Sequence, residues 1–209
     1  MSVFRFPNTR SEIVLASGSV SRAALLTGAG VTFDRDPADI DEAAVRAALA
    51  ADERAPDPAD VAEILARAKA ETVSARRPDA HVIGADQIMT LDGEIFEKPP
   101  DMDAARETLL RLNGRTHQLH AGVCVARDGE TLWSHTDTAV LTMRELSPEA
   151  VGQYLAAAGD AVLTSVGAYQ LESLGVHLFS KIEGDYFTIL GLPLLALLAF
   201  LRAEEALAP

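Results

Sequence analysis

A short apolar run that passes directly into a helix pattern constrains the fold of this chain most. Residues 12–17, "EIVLAS", have the composition of a buried strand, and residues 21–30, "SRAALLTGAG", have the pattern of a helix that glycine ends. A strand followed by a short loop and a helix is typical of proteins that alternate the two kinds of element. The opening of the chain therefore predicts an α/β fold.

The rest of the chain extends this unit into a mixed sheet flanked by helices. Further strands are predicted at residues 31–37 and 81–89, and an antiparallel section at residues 117–146 turns around Asp128–Gly129. Further helices are predicted at residues 39–53, 57–75 and 102–114, after Ser147–Pro148, and at residues 193–207. Because no repeat or linker divides the chain, we expect one domain over residues 1–209.

The helix predicted at residues 57–75 is amphipathic. The residues on its apolar face are interpreted as Val61, Ile64, Leu65, Ala68 and Thr72. Lys69 lies at the edge of that face. Its ammonium either points into a cleft or extends along the helix to solvent, as long cationic side chains usually do.

The charge balance excludes one class of partner. The sequence has 18 Lys and Arg residues against 31 Asp and Glu residues, which gives a formal net charge of −13. Such a charge repels the phosphate backbone of a nucleic-acid polymer, whereas a single small anion carried with a metal ion remains compatible with it. We therefore expect no nucleic-acid polymer as the main partner.

Cysteine usage and hydropathy favour a cytoplasmic protein. Cys124 is the only cysteine, so an intramolecular disulfide and a zinc site of several thiolates are excluded, and we expect a buried, inert thiol. The five histidines show no metal-ligand spacing. The chain starts without the apolar core of a signal peptide, and its longest apolar run is broken by Pro193 and too short to span a bilayer. We expect no membrane partner.

The turn at residues 17–22, "SGSVSR", has the chemistry of a phosphate site. A turn between a strand and a helix presents unpaired backbone N–H groups and the positive end of the helix dipole, which both favour an anion. Ser19 and Ser21 add hydroxyl donors, and Arg22 can bind phosphate oxygens. The alternative is that one serine only caps the helix and Arg22 is a solvated side chain. No G-x-x-x-x-G-K-[ST] motif occurs, so the turn is not a P-loop.

A carboxylate and a lysine stand out in "GADQIMTLDGEIFEKPP". Asp86 follows the apolar residues Val82 and Ile83, which places it at a strand end. A carboxylate there can hold a divalent metal or polarise a water molecule for attack on phosphorus. Lys98 can neutralise charge on a phosphate. Taken singly, Asp86 is equally interpreted as a turn former and Lys98 as an ordinary loop lysine.

Three acids, Asp39, Asp41 and Glu42, open the helix predicted at residues 39–53. Hard cations prefer carboxylate oxygens, so Glu42 could share a magnesium ion with Asp86. The alternative is a helix N-cap with acids in the first turn, which the pattern also supports.

The order and spacing of these segments resemble the Maf family of nucleoside triphosphate pyrophosphatases. "LASGSVSRAALL" is similar to the family signature L-A-S-x-S-P-R-R-x-x-L-L, "LARAKA" to its lysine helix and "GADQIMTLDGEIFEKP" to its A-D-[TQ]…G-x-x-x-x-K-P segment. The later segments "LNGRTHQLHAGV", "SVGAYQLESLG" and "IEGDYFTILGLPL" also match. The resemblance implies a bilobed α/β fold of the inosine-triphosphatase-like type, in which a mixed twisted sheet is flanked by helices around a central cleft.

The resemblance also implies a reaction and a role for each motif residue. A nucleoside triphosphate and water would give a nucleoside monophosphate and pyrophosphate, by cleavage of the α–β phosphoanhydride with Mg²⁺ or Mn²⁺. Asp86 would be the general base or a metal ligand, and Glu42 the second metal ligand. The substrate contacts would be Ser19, Ser21, Arg22, Lys69, Gln87, Lys98 and Glu172. A homodimer is implied as well.

Ser21, Gln87 and Glu172 correspond to family positions linked with base choice. The pyrimidine branch has arginine, threonine and glutamine there, whereas Gln87 and Glu172 resemble the branch that prefers 7-methyl-GTP. A carboxylate accepts hydrogen bonds from the pairing edge of guanine, and it favours the positive charge of a 7-methylated base. That branch has tryptophan at the position of Ser21. The resemblance also implies a second arginine after Arg22, where this chain has Ala23.

We therefore expect a cytoplasmic pyrophosphatase that acts on a modified guanine nucleotide such as 7-methyl-GTP. One alternative is a dTTP or UTP pyrophosphatase. The other is a nucleotide-binding regulator of cell division with little catalysis, which the absent signature arginines favour.

Overall fold

The computed structural model describes residues 9–50 and 56–208, and seven strands within these ranges form one mixed sheet. The strands are β1 (Ile13–Leu15), β2 (Asp34–Arg35), β3 (His81–Leu91), β4 (Glu94–Phe96), β5 (Thr116–Arg127), β6 (Glu130–Met143) and β7 (Phe179–Glu183). Their order is β2-β1-β3-β5-β6-β7, with β4 paired to β3. The pairs β1–β2 and β1–β3 are parallel, whereas β3–β4 and β6–β7 are antiparallel.

Helices alternate with these strands along the chain. They are α1 (Val20–Gly28), α2 (Glu42–Ala50), α3 (Pro58–Ser74), α4 (Met102–Leu112), α5 (Pro148–Ala158), α6 (Tyr186–Ile189) and α7 (Leu194–Ala203). Six of them start at a polar side chain that accepts a hydrogen bond from the first turn; these caps are Ser19, Asp41, Asp57, Asp101, Ser147 and Asp185. The predicted α/β fold with a mixed sheet and flanking helices is confirmed.

Two predicted elements differ in extent from the observed ones. The strand predicted at residues 31–37 is reduced to the two residues of β2. The helix predicted at residues 39–53 begins at Glu42, and its last three residues lie outside the described ranges. None of the helices in the described ranges combines the length and the apolar character that a membrane span needs.

The described residues form two compact units. The first contains residues 9–50, 56–87, 121–137 and 191–208, and the second contains residues 88–120 and 138–190. Each unit has its own apolar core. The single domain with two lobes around a cleft stays a prediction.

Helix α3 packs unusually closely on the sheet of the first unit. A Cβ atom added to Gly84 on β3 would lie 2.1 Å from the carbonyl oxygen of Ala66, and one on Gly122 of β5 would lie 2.6 Å from that of Ala62. Both contacts are to backbone, which has no room to move aside. Glycine at these two strand positions therefore permits the approach of α3.

The buried face of α3 is rotated from the predicted one. Its buried residues are Val61, Ala62, Leu65, Ala66, Lys69, Ala70, Val73 and Ser74. Ile64 and Thr72 are exposed, so the prediction that they belong to the buried face is wrong. The close contacts at Ala62 and Ala66 bring the helix face that carries these two alanines onto the sheet, and Ile64 and Thr72 lie outside that face.

The thiol of Cys124 lies in this contact. Cys124 is fully buried and packs with Ala66, Ala70 and Ala126. Burial raises the pKa of its thiol to about 11. The predicted burial is confirmed, and a thiol of this pKa is protonated and weakly nucleophilic at neutral pH.

His117 on β5 is a buried titratable side chain of the second unit. Its side chain is 1% exposed, and its Nε2 lies 2.7 Å from the hydroxyl oxygen of Tyr169. Its ring also contacts Phe179, and its Nδ1 has no hydrogen-bond partner among the described residues. Burial lowers the pKa of His117 to about 4.

We expect His117 to make stability fall in acid. Its pKa is 6.5 in the unfolded chain and about 4 in the folded protein, so the folded state binds fewer protons between these values. The contribution to stability is complete above pH 6.5 and is lost as the pH falls through about 4. The loss should approach about 3 kcal/mol.

Urea unfolding of the wild type and of His117→Gln across this pH range measures the effect. Glutamine keeps a hydrogen-bonding group for Tyr169 without titrating. The difference in the free energy of unfolding between the two proteins should shrink as the pH is lowered. A difference that stays constant with pH would contradict the prediction.

Candidate active site

Lys69 lies between two carboxylates in the first unit. Its Nζ is 2.6 Å from Oδ1 of Asp86 and 2.8 Å from Oε1 of Glu42. Lys69 is 7% exposed and Asp86 is 6% exposed, whereas the side chain of Glu42 is 40% exposed. Hydrogen bonds between charged groups at such distances are stronger than neutral ones. The three side chains form one ion cluster that reaches solvent on the side of Glu42.

Three elements position this cluster. Helix α3 presents Lys69 from its buried face, and Glu42 is the first residue of α2. Asp86 lies in the middle of β3, so the prediction that it ends a strand is wrong, because β3 continues to Leu91 and pairs there with β4. The neighbouring strand β1 stops at Leu15, opposite Ile83. The shortness of β1 therefore leaves Asp86 beyond the paired residues on that side.

The two carboxylates have the donor set that a divalent cation prefers. Asp86 and Glu42 each direct an oxygen at one point, which Nζ of Lys69 occupies. Mg²⁺ and Mn²⁺ take carboxylate oxygens and commonly complete their shell with water and phosphate. The described part of the chain contains no cluster of three or more His, Cys, Asp or Glu side chains that could hold a metal. A cation here would need further oxygens from the substrate or from water.

The turn between β1 and α1 is closed by its own serines. The N–H of Ser19 donates to Oγ of Ser17 at 3.2 Å, and Oγ of Ser19 accepts from the N–H of Arg22 at 3.3 Å. Ser19 is therefore the N-cap of α1, and the capping alternative is confirmed for this residue. Ser21 lies half-buried in the first turn of the helix.

Three uncharged acceptors hold the guanidinium of Arg22. Nε donates to the carbonyl oxygen of Gly191 at 2.8 Å, and Nη1 donates to Oγ of Ser17 at 3.1 Å and to the carbonyl oxygen of Ala85 at 2.9 Å. Nη2 has no acceptor among the described residues. Arg22 is thus anchored in the protein, contrary to the alternative of a solvated side chain. Its N–H groups at Nη2 remain for a ligand.

The cluster of carboxylates also acts on Arg22. Burial lowers the pKa of Arg22, and the negative charges of Asp86 and Glu42 raise it. An arginine stays charged in proteins despite such burial. The site therefore combines two cations and two carboxylates on the same side of the first unit.

Comparison with known proteins assigns the chain to a family. The model of the Maf-like protein family matches residues 12–204. The chain belongs to this family. This Maf-like protein is 54% identical over 196 residues to a 7-methyl-GTP pyrophosphatase of Brucella abortus, a match that covers 94% of this chain and 98% of that protein.

Two further relatives carry a broader name. The Maf-like protein is 54% identical over 196 residues to a nucleoside triphosphate pyrophosphatase of Paramagnetospirillum magneticum, with 94% of this chain and all of that protein covered. It is 51% identical over 207 residues to a nucleoside triphosphate pyrophosphatase of Nitrobacter hamburgensis, with 99% of each chain covered.

The predicted site residues of this Maf-like protein divide between the two units. Glu42, Lys69 and Asp86 form the ion cluster, and Gln87 follows Asp86 on β3 with its side chain half-buried. Ser19, Ser21 and Arg22 lie in the first unit as well. Lys98 and Glu172 belong to the second unit, where both are exposed.

Lys98 and Glu172 have distinct surroundings within the second unit. Lys98 lines a surface pocket of about 290 Å³ together with Phe96 and Arg111, and the guanidinium of Arg111 lies 4.3 Å from the centre of the Phe96 ring. Burial, together with the negative charge of Glu172 as a smaller cause, raises the pKa of Tyr154 to about 12. The charge of Glu172 thus influences the pKa of the Tyr154 hydroxyl in the same unit.

The sequence gives no signal for three further groups of this Maf-like protein. Gly191 and Ala85 contribute backbone carbonyl oxygens to Arg22, and a side-chain pattern does not indicate a backbone acceptor. Arg35 of β2 donates from Nη2 to the carbonyl oxygen of Gly18, at 2.8 Å, in the turn after β1. The side chain of Arg35 lies next to that turn because β1 and β2 pair in parallel.

We expect Lys69→Met to lower the free energy of unfolding by about 3 kcal/mol, because Asp86 would stay buried without its cation. Adding Asp86→Leu should recover part of that loss, since no carboxylate is then left unpaired in the interior. Urea unfolding at neutral pH measures Lys69→Met, Asp86→Leu and the double variant. If the double variant loses as much free energy of unfolding as the two single variants lose together, the loss in Lys69→Met does not come from the unpaired carboxylate of Asp86.

Proposed function

We propose that this chain hydrolyses a nucleoside triphosphate to a nucleoside monophosphate and pyrophosphate, and that its substrate is a modified guanine nucleotide such as 7-methyl-GTP. The observation that carries the proposal is the buried cluster of Lys69, Asp86 and Glu42 with Arg22 close to it. Relatives of 54% identity named 7-methyl-GTP pyrophosphatase and nucleoside triphosphate pyrophosphatase support it.

Asp86 has the geometry of a general base. Its Oδ1 is bonded to Lys69, whereas its Oδ2 accepts no hydrogen bond from the described residues. A carboxylate with an available oxygen can take a proton from a water molecule as that water attacks phosphorus. A bond forms from the water oxygen to phosphorus and the α–β phosphoanhydride bond breaks. The electron pair of the broken phosphoanhydride bond leaves with the oxygen of the departing phosphate group.

The cations of the site bind the phosphates in this proposal. Arg22 offers the N–H groups of Nη2, and Lys69 carries the charge nearest to Asp86. Lys98 would add a third cation, and the hydroxyls of Ser19 and Ser21 would add donors. Positive charges fixed before the substrate arrives stabilise the charge that develops on the phosphates without reorganising.

We propose Mg²⁺ or Mn²⁺ as the cofactor. Glu42 and Asp86 would hold it, because carboxylate oxygens are the ligands that these ions prefer, and the ammonium of Lys69 would have to move from the point that both carboxylates contact. When bound, the ion supplies positive charge to the triphosphate and makes a water molecule more acidic.

Glu172 and Gln87 would select the base. A carboxylate accepts hydrogen bonds from the N–H groups of guanine, and a 7-methyl group adds a positive charge that Glu172 favours. The carbonyl oxygens of uracil or thymine would face the same carboxylate as acceptors and would be repelled.

We expect Asp86→Asn to reduce pyrophosphate release by roughly a thousandfold, because asparagine cannot take a proton from water. Release is measured with 7-methyl-GTP and Mg²⁺, and circular dichroism checks the fold. Asp79→Asn, at an exposed aspartate outside the cluster, is the matched control and should keep full activity. An Asp86→Asn protein with most of its activity would refute the assignment.

We expect Glu172→Gln to lower the preference for 7-methyl-GTP over UTP by about tenfold, because the amide no longer favours a positive base. The readout is the ratio of kcat/KM for the two substrates, with dTTP and GTP in the same series. Glu130→Gln, at another exposed glutamate, is the control. An unchanged ranking of substrates would refute the role of Glu172.

The same substrate series tests the two alternatives. A wild type that prefers dTTP or UTP would assign the pyrimidine reaction. Ser21 and Ala23 stand where the family signature is expected to have arginine, which favours a nucleotide-binding regulator, and binding without turnover would support that function. A cytoplasmic location and a homodimer stay predictions.

A further inference from the structure

Gly191 has a positive φ and lies next to the side chains of both Arg22 and Gln87. Its φ is +88°, and its carbonyl oxygen accepts the hydrogen bond from Nε of Arg22 at 2.8 Å. The segment that follows is rigidly packed, since Leu192 and Leu194 are 0% and 4% exposed. The position of the carbonyl oxygen is therefore fixed by the core.

The Cα of Gly191 faces the same two side chains. A Cβ added there would lie 3.4 Å from Nε and from Nη2 of Arg22, and 3.6 Å from Cδ of Gln87. The guanidinium and the amide thus pack against a position that bears no side chain. Any L-residue at this φ is strained, so alanine would move the peptide as well as fill this contact.

We propose that Gly191 is a positioning residue of the phosphate site, which sets the plane of Arg22 through its carbonyl oxygen and leaves space for Gln87. The inference deepens the proposed function and rests on it for the identity of the substrate. Arg22 and Gln87 would contact the substrate, and Gly191 would act through them.

Because the guanidinium is planar, Gly191 influences the orientation of the whole group when it accepts the hydrogen bond from Nε. Its nitrogen atoms lie in one rigid plane, so fixing Nε and Nη1 also fixes the direction of the N–H groups at Nη2. The three acceptors that fix them are two carbonyl oxygens and one hydroxyl. Arg22 is therefore oriented without a carboxylate in hydrogen-bond contact, and its charge remains available to an anion.

Other arginines of the chain show the contrasting arrangement. Arg76 and Arg77 donate to the carboxylates of Asp36, Glu12 and Asp34 in exposed ion pairs. An arginine neutralised in this way gains little from a phosphate. The neutral acceptors around Arg22 favour a ligand that brings its own negative charge.

The test compares Gly191→Ala with Gly129→Ala. Gly129 has a φ of +79° in the turn between β5 and β6, and a Cβ there would meet no atom closer than 3.9 Å. Both variants strain a backbone of positive φ, but only the first disturbs Arg22. Gly191→Asn, which tolerates positive φ better and carries the same Cβ, replaces the alanine variant if that protein does not fold.

Two measurements are made on each protein. Calorimetry with inorganic pyrophosphate measures the phosphate contact without any turnover, and pyrophosphate release from 7-methyl-GTP and UTP measures kcat/KM. We expect Gly191→Ala to weaken pyrophosphate binding and kcat/KM by about tenfold and to change the ranking of the two nucleotides, and Gly129→Ala to change each by less than about twofold. Arg22→Ala combined with Gly191→Ala should be no worse than Arg22→Ala alone.

The outcomes separate this inference from the proposed function. Pyrophosphate binding that is equal in Gly191→Ala and wild type, or effects of Arg22→Ala and Gly191→Ala that add, would overturn the role of Gly191. A wild type that binds pyrophosphate and hydrolyses no triphosphate would overturn the proposed function and leave the binding comparison valid. A wild type that binds no pyrophosphate would overturn both.

Discussion

The ammonium of Lys69 is the charge on which the rest of the site depends. Asp86 is almost fully buried, and a carboxylate in the interior stays ionised only where a cation or hydrogen-bond donors compensate its loss of water. Lys69 supplies that compensation and also reaches Glu42, so it joins a strand, the middle of one helix and the start of another. A lysine that does so must leave its helix on the buried side. The alanine face of α3 and the glycines beneath it are what make this approach sterically feasible.

The two cations of the first unit are held in opposite ways. Lys69 is bonded to two carboxylates, and its charge is balanced before any ligand arrives. Arg22 is bonded to uncharged oxygens, and it keeps a net attraction for an anion. A ligand with several negative charges would first meet the unbalanced cation and would then compete with Asp86 and Glu42 for the balanced one. This division suits a site that must attract a polyphosphate and still retain an ionised base.

The sequence was sufficient for the kinds of element and their order, because apolar periodicity and side-chain caps are local properties. It predicted the helix after Ser147–Pro148 and the motif residues of the ion cluster, although the roles of those residues stay predictions. It failed for the buried face of α3, where Ile64 has the more apolar side chain and Ala66 is the buried one. The distance between helix and sheet decides that face, and it is set by Gly84 and Gly122, which lie on other elements. It also failed for the carbonyl oxygens of Ala85 and Gly191, since every residue has one and only the fold selects which is used.

The hydrogen bond between Arg22 and Gly191 joins residues that are 169 positions apart. A ribosome adds Arg22 long before it adds Gly191. A nascent chain that has not reached Gly191 lacks the acceptor of Nε and, among the described residues, has only Ser17 and Ala85 as acceptors for this guanidinium. The orientation of this arginine is thus complete only after Gly191 has been added, and a chain terminated before residue 191 lacks an acceptor that no other residue of the described structure supplies to Nε.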